Sequence, residues 1–309
     1  MAAAIPWRAE GATAACAWCA APLDHRARRL PGRTVCPQCG VATTDPWPTA
    51  EALAAAYGGA YRPPAGRFSG PGDRLLGLTR AALARRLDRI APPGRVLDVG
   101  AGTGGLVAAL RRRGREAIGL EREARGELIR DTPLAELDGA WAGIVFWHSL
   151  EHLVAPGADL DRAIGLLAPG GVLVVAVPNA ASLQARVFGD RWLALDLPRH
   201  LTHIPAGALR GRLERAGLAV ERASGWRGGQ VLFGWLHGLV ALAPGHPSLY
   251  DAIRRPEARW QAQDQARRRA ILAGAVLLAP LAALGAGVEI LVGRGGTVYV
   301  EARRPSGAP

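Results

Sequence analysis

Residues 95–104 read Arg-Val-Leu-Asp-Val-Gly-Ala-Gly-Thr-Gly, and few folds accommodate such a segment. An apolar, β-branched run ends at Asp98-Val99, and the loop after it opens a helix over 105–113. The helix stops near Gly114, and Glu116-Ala-Ile-Gly-Leu-Glu121 follows as a second strand. The glycines therefore sit where a strand ends and a helix begins, and they let the backbone come close to a bound ligand. Glu121, at the end of the second strand, is placed to accept hydrogen bonds from two ribose hydroxyls. Loop, flanking strand, helix and distal acid together point to a nucleoside-containing cofactor. Dinucleotide sites favour Gly-x-Gly-x-x-Gly. Here the glycines stand at 100, 102 and 104, with Gly105 adjacent.

All four cysteines of the 309-residue chain fall in two Cys-x-x-Cys pairs, Cys16/Cys19 and Cys36/Cys39. This is the spacing of a zinc ribbon, in which two turns bring four thiolates around one Zn²⁺. A closed four-thiolate site has no open coordination position, so the zinc is expected to fold the module rather than to catalyse. Two disulfides or a redox pair are the alternatives. Residues 1–15 lack a basic start followed by an apolar run, so no leader is read there and a cytoplasmic location is expected. Thiols stay reduced in that compartment.

The 38 basic residues are all Arg, against 26 acidic ones, for a formal charge of +12. A hydrophobic content of 49% excludes a disordered chain. Four cysteines and no three-residue glycine period exclude disulfide-dense and collagen-like classes. Arginine without lysine in an Ala- and Gly-rich chain reads as biased codon usage before it reads as a polyanion site.

Residues 1–45 form the ribbon module, 46–72 a Pro/Gly-punctuated linker with a short capped helix at 49–57, and 73–309 the main domain. Residues 73–91 read as an amphipathic helix whose arginines form a solvated face. Gly143-Ile-Val-Phe-Trp-His-Ser149 reads as a further strand, followed by Leu150-Glu151-His152-Leu153. Pro169-Gly170-Gly171 then turns into the buried strand Val172–Asn179.

The motif Val96–Gly104 resembles motif I of class I S-adenosylmethionine-dependent methyltransferases. The Pro-Gly-Gly turn, the Leu-Glu-His turn and the segment Asp196-Leu-Pro-Arg-His-Leu-Thr-His203 extend the likeness to a bacterial branch with a four-cysteine ribbon. It covers residues 16–226 and the last strand, Thr297–Ala302. The resemblance implies an α/β fold: a Rossmann-like doubly wound sheet with an antiparallel last strand, plus the small zinc ribbon and a helical insert at 227–296. It implies that Asp98, Gly100, Ala101, Gly102 and Gly104 hold the amino-acid end of the cofactor. Glu121 would hold its ribose, and Asp131 and Trp147 would complete the site. Only 21 residues, 122–142, separate Glu121 from Gly143. A full helical crossover does not fit there. Glu127–Asp131 is expected as a remnant third strand, with Asp131 near the adenine.

In open α/β sheets ligands lie beyond the carboxyl ends of the strands. His148, Glu151 and His152 fall at that edge, and His200 and His203 can fold over the same pocket. Methyl transfer to a hydroxyl needs a group to remove its proton, and a histidine suits that role. The expected base is His152 or His148, oriented by Glu151, with His200 beside them. The turn also resembles the Glu-x-x-Glu-His segment of ubiquinone-pathway O-methyltransferases, whose acids and histidine face a divalent cation. His148 replaces the first acid, so a hard-cation site is not expected.

The chain has no Asn/Asp-Pro-Pro-Tyr/Phe after the fourth strand and no cysteine in the main domain. This disfavours amino-directed and pyrimidine-C5 nucleic-acid methylation and leaves an oxygen or carbon of a small-molecule, sugar or lipid-linked acceptor. RNA modification ranks second, on the charge and the ribbon, because Trp18 is the only Phe, Tyr or Trp between the first and last ribbon cysteines. A degenerate, non-catalytic copy ranks third, on the short 122–142 segment.

The insert contains two apolar stretches, Val231–Ala243 and Ala270–Gly293, around an Arg-rich segment, 250–269, that reads as one amphipathic helix with Trp260. The uncharged run from Ile271 to Val288 reaches the lower limit of a membrane span. The last strand must return to the sheet, so a single crossing is excluded. Peripheral contact with an anionic membrane through 231–292, at the inner face, stands beside an ordinary helical cap or dimer face.

Overall fold

The computed structural model describes residues 14–58, 68, 71–124, 126–225, 229–256, 259 and 264–307. The stretch read for a leader falls almost wholly outside them, as does Trp260.

The amino-terminal module contains three short antiparallel strands, β1 (Arg28–Leu30), β2 (Arg33–Val35) and β3 (Ala42–Thr44). The linker holds α1 (Ala50–Ala56), whose first turn is capped by the Thr49 hydroxyl accepting from the Ala52 amide at 3.1 Å. Helix α2 (Pro71–Ile90) leads into β4 (Val96–Val99), the glycine loop, α3 (Gly105–Arg111) and β5 (Ala117–Leu120). Next come β6 (Ile129–Arg130), β7 (Trp141–Trp147), α4 (Pro156–Leu166), β8 (Leu167–Pro178) and α5 (Leu183–Phe188). The chain continues through β9 (Thr202–His203), α6 (Ala206–Arg215) and β10 (Ala219–Ser224). The insert forms α7 (Gly229–Ala241), α8 (Leu249–Ile253) and α9 (Gln265–Leu291), and β11 (Thr297–Arg303) closes the chain.

The main sheet has the order β10-β11-β8-β7-β4-β5-β6. β8, β7, β4, β5 and β6 run parallel, and β11 lies antiparallel between β8 and β10. This is the Rossmann-like α/β arrangement with an antiparallel last strand. β4 and β7 are apolar along nearly their whole length because both faces of a parallel sheet are covered. The chain order changes direction between β4 and β7, and the crevice beyond their carboxyl ends is where such sheets bind ligands.

The shortened 122–142 segment does form a third strand. β6 pairs with β5 in parallel register, Gly119 opposite Ile129. The described residues of this eight-residue connection form no helix, and Glu123 turns it at a φ of 58°. Ile129 then packs over the glycine loop: a Cβ placed on Gly104 or on Gly119 would meet its Cδ1 at 2.9 Å.

The ribbon does not stand apart from the main domain. β3 pairs with β9, so the catalytic-domain segment Thr202–His203 completes the ribbon sheet. Cys16, Trp18 and Cys36 lie in the same apolar core as Ile144, Leu160 and Leu209.

Two sequence expectations need correction. The arginines of α2 are not simply a solvated face. Arg86 makes a two-point ion pair with the fully buried Glu301 at 2.9 and 2.6 Å. Asp88 on the same helix binds Arg113 and Arg115. Nor is 250–269 one helix. α8 ends at Ile253, Arg254 is extended and bridges to Phe68, and Pro256 prevents continuation. α9 begins anew at Asp264, whose carboxylate accepts from the Arg267 amide at 2.7 Å. Pro280 sits inside α9 without ending it.

Candidate active site

The cofactor loop folds as its glycines require. Gly100, Gly102 and Gly104 have φ values of 81°, 60° and 75°, which side chains rarely adopt. A Cβ on Gly100 would stand 2.3 Å from Ser149 Cβ, so the loop and the end of β7 touch directly. Ser149 in turn donates its hydroxyl to the Val99 carbonyl. Glu121 accepts from the Gly102 amide at 2.7 Å, which ties the end of β5 to the loop. Ala101 is buried against Gly119. Burial pushes the Asp98 carboxyl up to about 7, with Arg80 opposing and Glu121 reinforcing the rise. A positively charged ligand group beside it would favour its anion, which suits the charge of a sulfonium cofactor with a free amino group.

Arg80 is a residue that sequence reading left on the solvated face. A Cβ on Gly105 would lie 2.9 Å from its Nη1, so its guanidinium lies against the start of α3. A guanidinium there suits a ligand carboxylate. Nothing in the local pattern separates Arg80 from the other arginines of α2. At the far rim, Asp131 is exposed and accepts from the Glu123 amide at 2.9 Å. Trp147 ends β7 and meets Tyr299 and His148 edge to face, at 6.3 and 6.2 Å between ring centroids.

One strand over, the structure brings His148, Glu151, His152 and His200 together. β7 delivers His148 in the left-handed region at a φ of 53°, turning the chain into the 3-10 turn Leu150–His152. Glu151 is buried, and among the described residues neither carboxylate oxygen has a hydrogen-bond partner. His148 Nδ1 lies 3.7 Å from Glu151 Oε1 and His200 Nε2 lies 4.0 Å from it, which are ion-pair rather than hydrogen-bond distances. Burial works against the Glu151 anion, but His148, His152 and His200 outweigh it and hold its pKa at about 2.

The histidines are not equivalent. His148 keeps part of its side chain exposed, and its buried Nε2 has no hydrogen-bond partner among the described residues. His152 is held on Nδ1 by the Tyr57 hydroxyl at 2.9 Å and the Arg199 carbonyl at 3.0 Å. Burial, followed by the charge of His200, lowers its pKa to about 4, so it is neutral at pH 7. His200 Nδ1 faces the Ala194 carbonyl at 2.8 Å, and its ring lies 4.6 Å from that of His152. Asp196 pairs with Arg199 and stands 3.7 Å from His200 Nε2. Tyr57 comes from the end of the linker helix, and sequence reading had no signal for it. Donor atoms of Glu151, His152 and His200 lie within 4.8 Å of one another. Such a nitrogen-rich set suits a zinc-like ion better than Mg²⁺.

The four cysteines converge. Cys16 and Cys39 sulfurs are 3.6 Å apart, Cys19 and Cys36 sulfurs 3.7 Å apart, and all four lie within 4.8 Å. These are non-bonded separations, far from the roughly 2.0 Å of a disulfide. Four thiolates at about 2.3 Å from a tetrahedral Zn²⁺ would stand close to the observed separations. The Cys39 thiol lowers the pKa of Cys16 to about 5, and burial raises that of Cys19 to about 11.

Comparison with known proteins agrees with the geometry. Residues 74–223 match the model of a methyltransferase domain family. The chain is 32% identical over 185 residues to the ubiquinone biosynthesis O-methyltransferase of Xylella fastidiosa strain M23, covering 51% of this chain and 74% of that protein. The chain belongs to the class I S-adenosylmethionine-dependent methyltransferases. The enzyme of the same name from Xanthomonas axonopodis pv. citri is 29% identical over 182 residues, covering 50% of this methyltransferase and 76% of that protein. Among solved structures, an S-adenosylmethionine-dependent methyltransferase from Archaeoglobus fulgidus aligns with a TM-score of 0.44 and 18% identity, over 73% of this chain and 93% of the other.

Proposed function

We propose that this methyltransferase methylates an oxygen of a small-molecule, sugar or lipid-linked acceptor, with His148 as the general base and Glu151 as the group that orients it. The observation that carries this is the Glu151–His148 pair. A buried carboxylate faces one imidazole nitrogen at 3.7 Å, while the other nitrogen has no partner among the described residues. A carboxylate on one nitrogen holds the ring and stabilises the imidazolium that forms when the other takes a proton. S-adenosylmethionine supplies an electrophilic methyl group on a sulfonium. Asp98, Glu121, Arg80 and the glycine loop would hold it. His148 Nε2 takes the acceptor proton, and Glu151, anionic at neutral pH, balances the charge. His152, tied by Tyr57 and Arg199, supports the turn.

The four cysteines would hold a structural zinc. The curated relatives are O-methyltransferases, which supports oxygen as the acceptor atom. The apolar insert packed beside the His200 loop, through Trp192, Leu195 and Val231, supports a lipid-linked acceptor. A second reading rests on the Glu151, His152 and His200 donor cluster, which could bind a transition metal that polarises the acceptor oxygen.

The test uses labelled S-adenosylmethionine and fractionated polar-lipid and sugar extracts. His148→Ala is expected to lower methyl incorporation by about 10²- to 10⁴-fold and to leave cofactor affinity within a few-fold. Undiminished incorporation by His148→Ala would refute the assignment. Activity lost to a chelator and restored by a divalent transition metal, with the ribbon zinc retained, would favour the metal reading.

A further inference from the structure

Helix α9 has two faces. Ile271, Ala275, Ala282, Ala286 and Glu289 are buried. Ala282 and Ala286 pack with Val231 and Trp235 of α7. On the other side Leu277, Leu281, Leu284, Val288 and Leu291 are exposed, Leu277 by 81% and Leu291 by 87%. Their spacing of four and three residues puts them in one stripe along the helix. From Ala270 to Gly293 the only charged residue is Glu289, and it points inward. The stripe is therefore purely apolar, and Arg269 and Arg294 stand exposed at its two ends.

Length and composition alone would let α9 cross a membrane, but its anchoring forbids it. At the amino end, Arg268 donates to the Ala252 carbonyl at 2.8 Å and Arg267 to the Gly245 carbonyl at 3.3 Å. At the carboxyl end, the Arg294 and Gly296 carbonyls accept from the Leu183 and Asn179 amides at 3.1 and 3.0 Å. Both ends are thus fixed to the same body. Near the carboxyl end, Glu289 also accepts from Gln184 Nε2 at 2.8 Å and from the Trp235 indole. A helix held this way can lie in an interface but cannot span.

We infer that α9 docks the enzyme on an anionic membrane surface, with the Leu277–Leu291 stripe immersed among acyl chains and the terminal arginines on lipid phosphates. The charge pattern selects this occupant over a second copy of the chain. An antiparallel pair of α9 helices would set the Arg267–Arg269 cluster of one copy against Arg294 of the other; the stripe between them carries no acid, and the exposed Asp264 beside the cluster is engaged in capping its own helix. A parallel pair would set like clusters together. Anionic headgroups answer both ends at once, and the apolar face answers the acyl boundary. The inference concerns where the enzyme sits and does not depend on the assignment of the base.

Cosedimentation of the full chain with vesicles tests it. Vesicles of equal parts phosphatidylglycerol and phosphatidylcholine should carry the enzyme down, and phosphatidylcholine alone should hold at least about tenfold less. Leu277→Glu with Leu284→Glu should lower partitioning to the anionic vesicles by at least about tenfold. Arg269→Gln with Arg294→Gln should weaken it and flatten its salt dependence. Cofactor affinity and the circular dichroism spectrum should be unchanged in each variant, which separates this surface from the active site. Wild-type protein that stays in the supernatant overturns the inference. So does a dimer in solution that Leu277→Glu with Leu284→Glu dissociates, since a second copy would then own the stripe.

Discussion

Thr44 of the ribbon donates its hydroxyl to the backbone carbonyl of His200 at 2.7 Å, although the two lie 156 residues apart in sequence. The Thr44 amide also donates to the Leu201 carbonyl at 3.0 Å, and the Leu201 amide donates to the Glu151 carbonyl at 2.8 Å. The ribbon strand thereby holds the peptide carrying His200, and that peptide holds the turn carrying Glu151.

Thr44→Val removes a buried donor and leaves the His200 carbonyl unanswered. It should cost about 1–3 kcal/mol in urea titration. With the proposed zinc on the four cysteines, a chelator that removes it should raise amide exchange across 196–203 more than across the glycine loop, because β3 pairs with β9 and not with β4. Equal exchange changes in the two segments would contradict this coupling.

The cofactor assignment makes its own forecast. Glu121→Ala removes the carboxylate at the end of β5 and should weaken S-adenosylmethionine binding by about 10- to 100-fold, the value of a hydrogen bond to a charged group. Gly100→Ala should abolish detectable binding, because its φ of 81° and the Ser149 side chain both oppose a Cβ. Calorimetry on the folded variants decides. Wild-type affinity in Glu121→Ala would place the ribose elsewhere.

Acid should destabilise the protein well above the range where carboxylates titrate. Burial lowers His203 to about 3, with His200 and Arg33 adding to the effect, and burial lowers His237 to about 4. Both remain neutral in the folded state while the unfolded chain takes up protons near pH 6.5. Stability is therefore full above that pH and falls as pH drops toward 4, by up to about 1.4 kcal/mol per pH unit for each histidine. His237→Gln, which keeps an acceptor for the Tyr250 amide, should make the fall shallower. A slope unchanged by this variant would assign the acid sensitivity to other groups.

Glu289 is buried in the insert with its carboxyl pushed upward by burial, and it accepts from Gln184 and Trp235. Glu289→Ala removes the acceptor of the Trp235 indole and of one Gln184 N–H, whose amide keeps only the Val231 carbonyl, and should cost about 2–4 kcal/mol. Glu289→Gln keeps an acceptor and should cost less. Thermal unfolding of the two variants gives the comparison, and equal losses would show that the amide oxygen of Gln does not replace the carboxylate as the acceptor.

Local sequence was enough to read the Val96–Gly104 loop, the acid at Glu121, the paired cysteines and the alternation of strands and helices. Each depends on neighbours within a turn or two: a glycine at positive φ, two thiols three residues apart, an apolar run of fixed period. Even the third strand was legible, although its short connection was unusual. Only the tertiary structure decided that His148 lies beside the buried Glu151, that Tyr57 and Arg199 hold His152, and that Arg80 leaves the solvated face for the glycine loop. It also decided that the ribbon shares its sheet with β9 and that α9 lies along the body with its leucines outward. Those relationships join residues far apart in the chain. Packing of the whole sheet and its layers sets them, and no local period records which distant partner a side chain will meet.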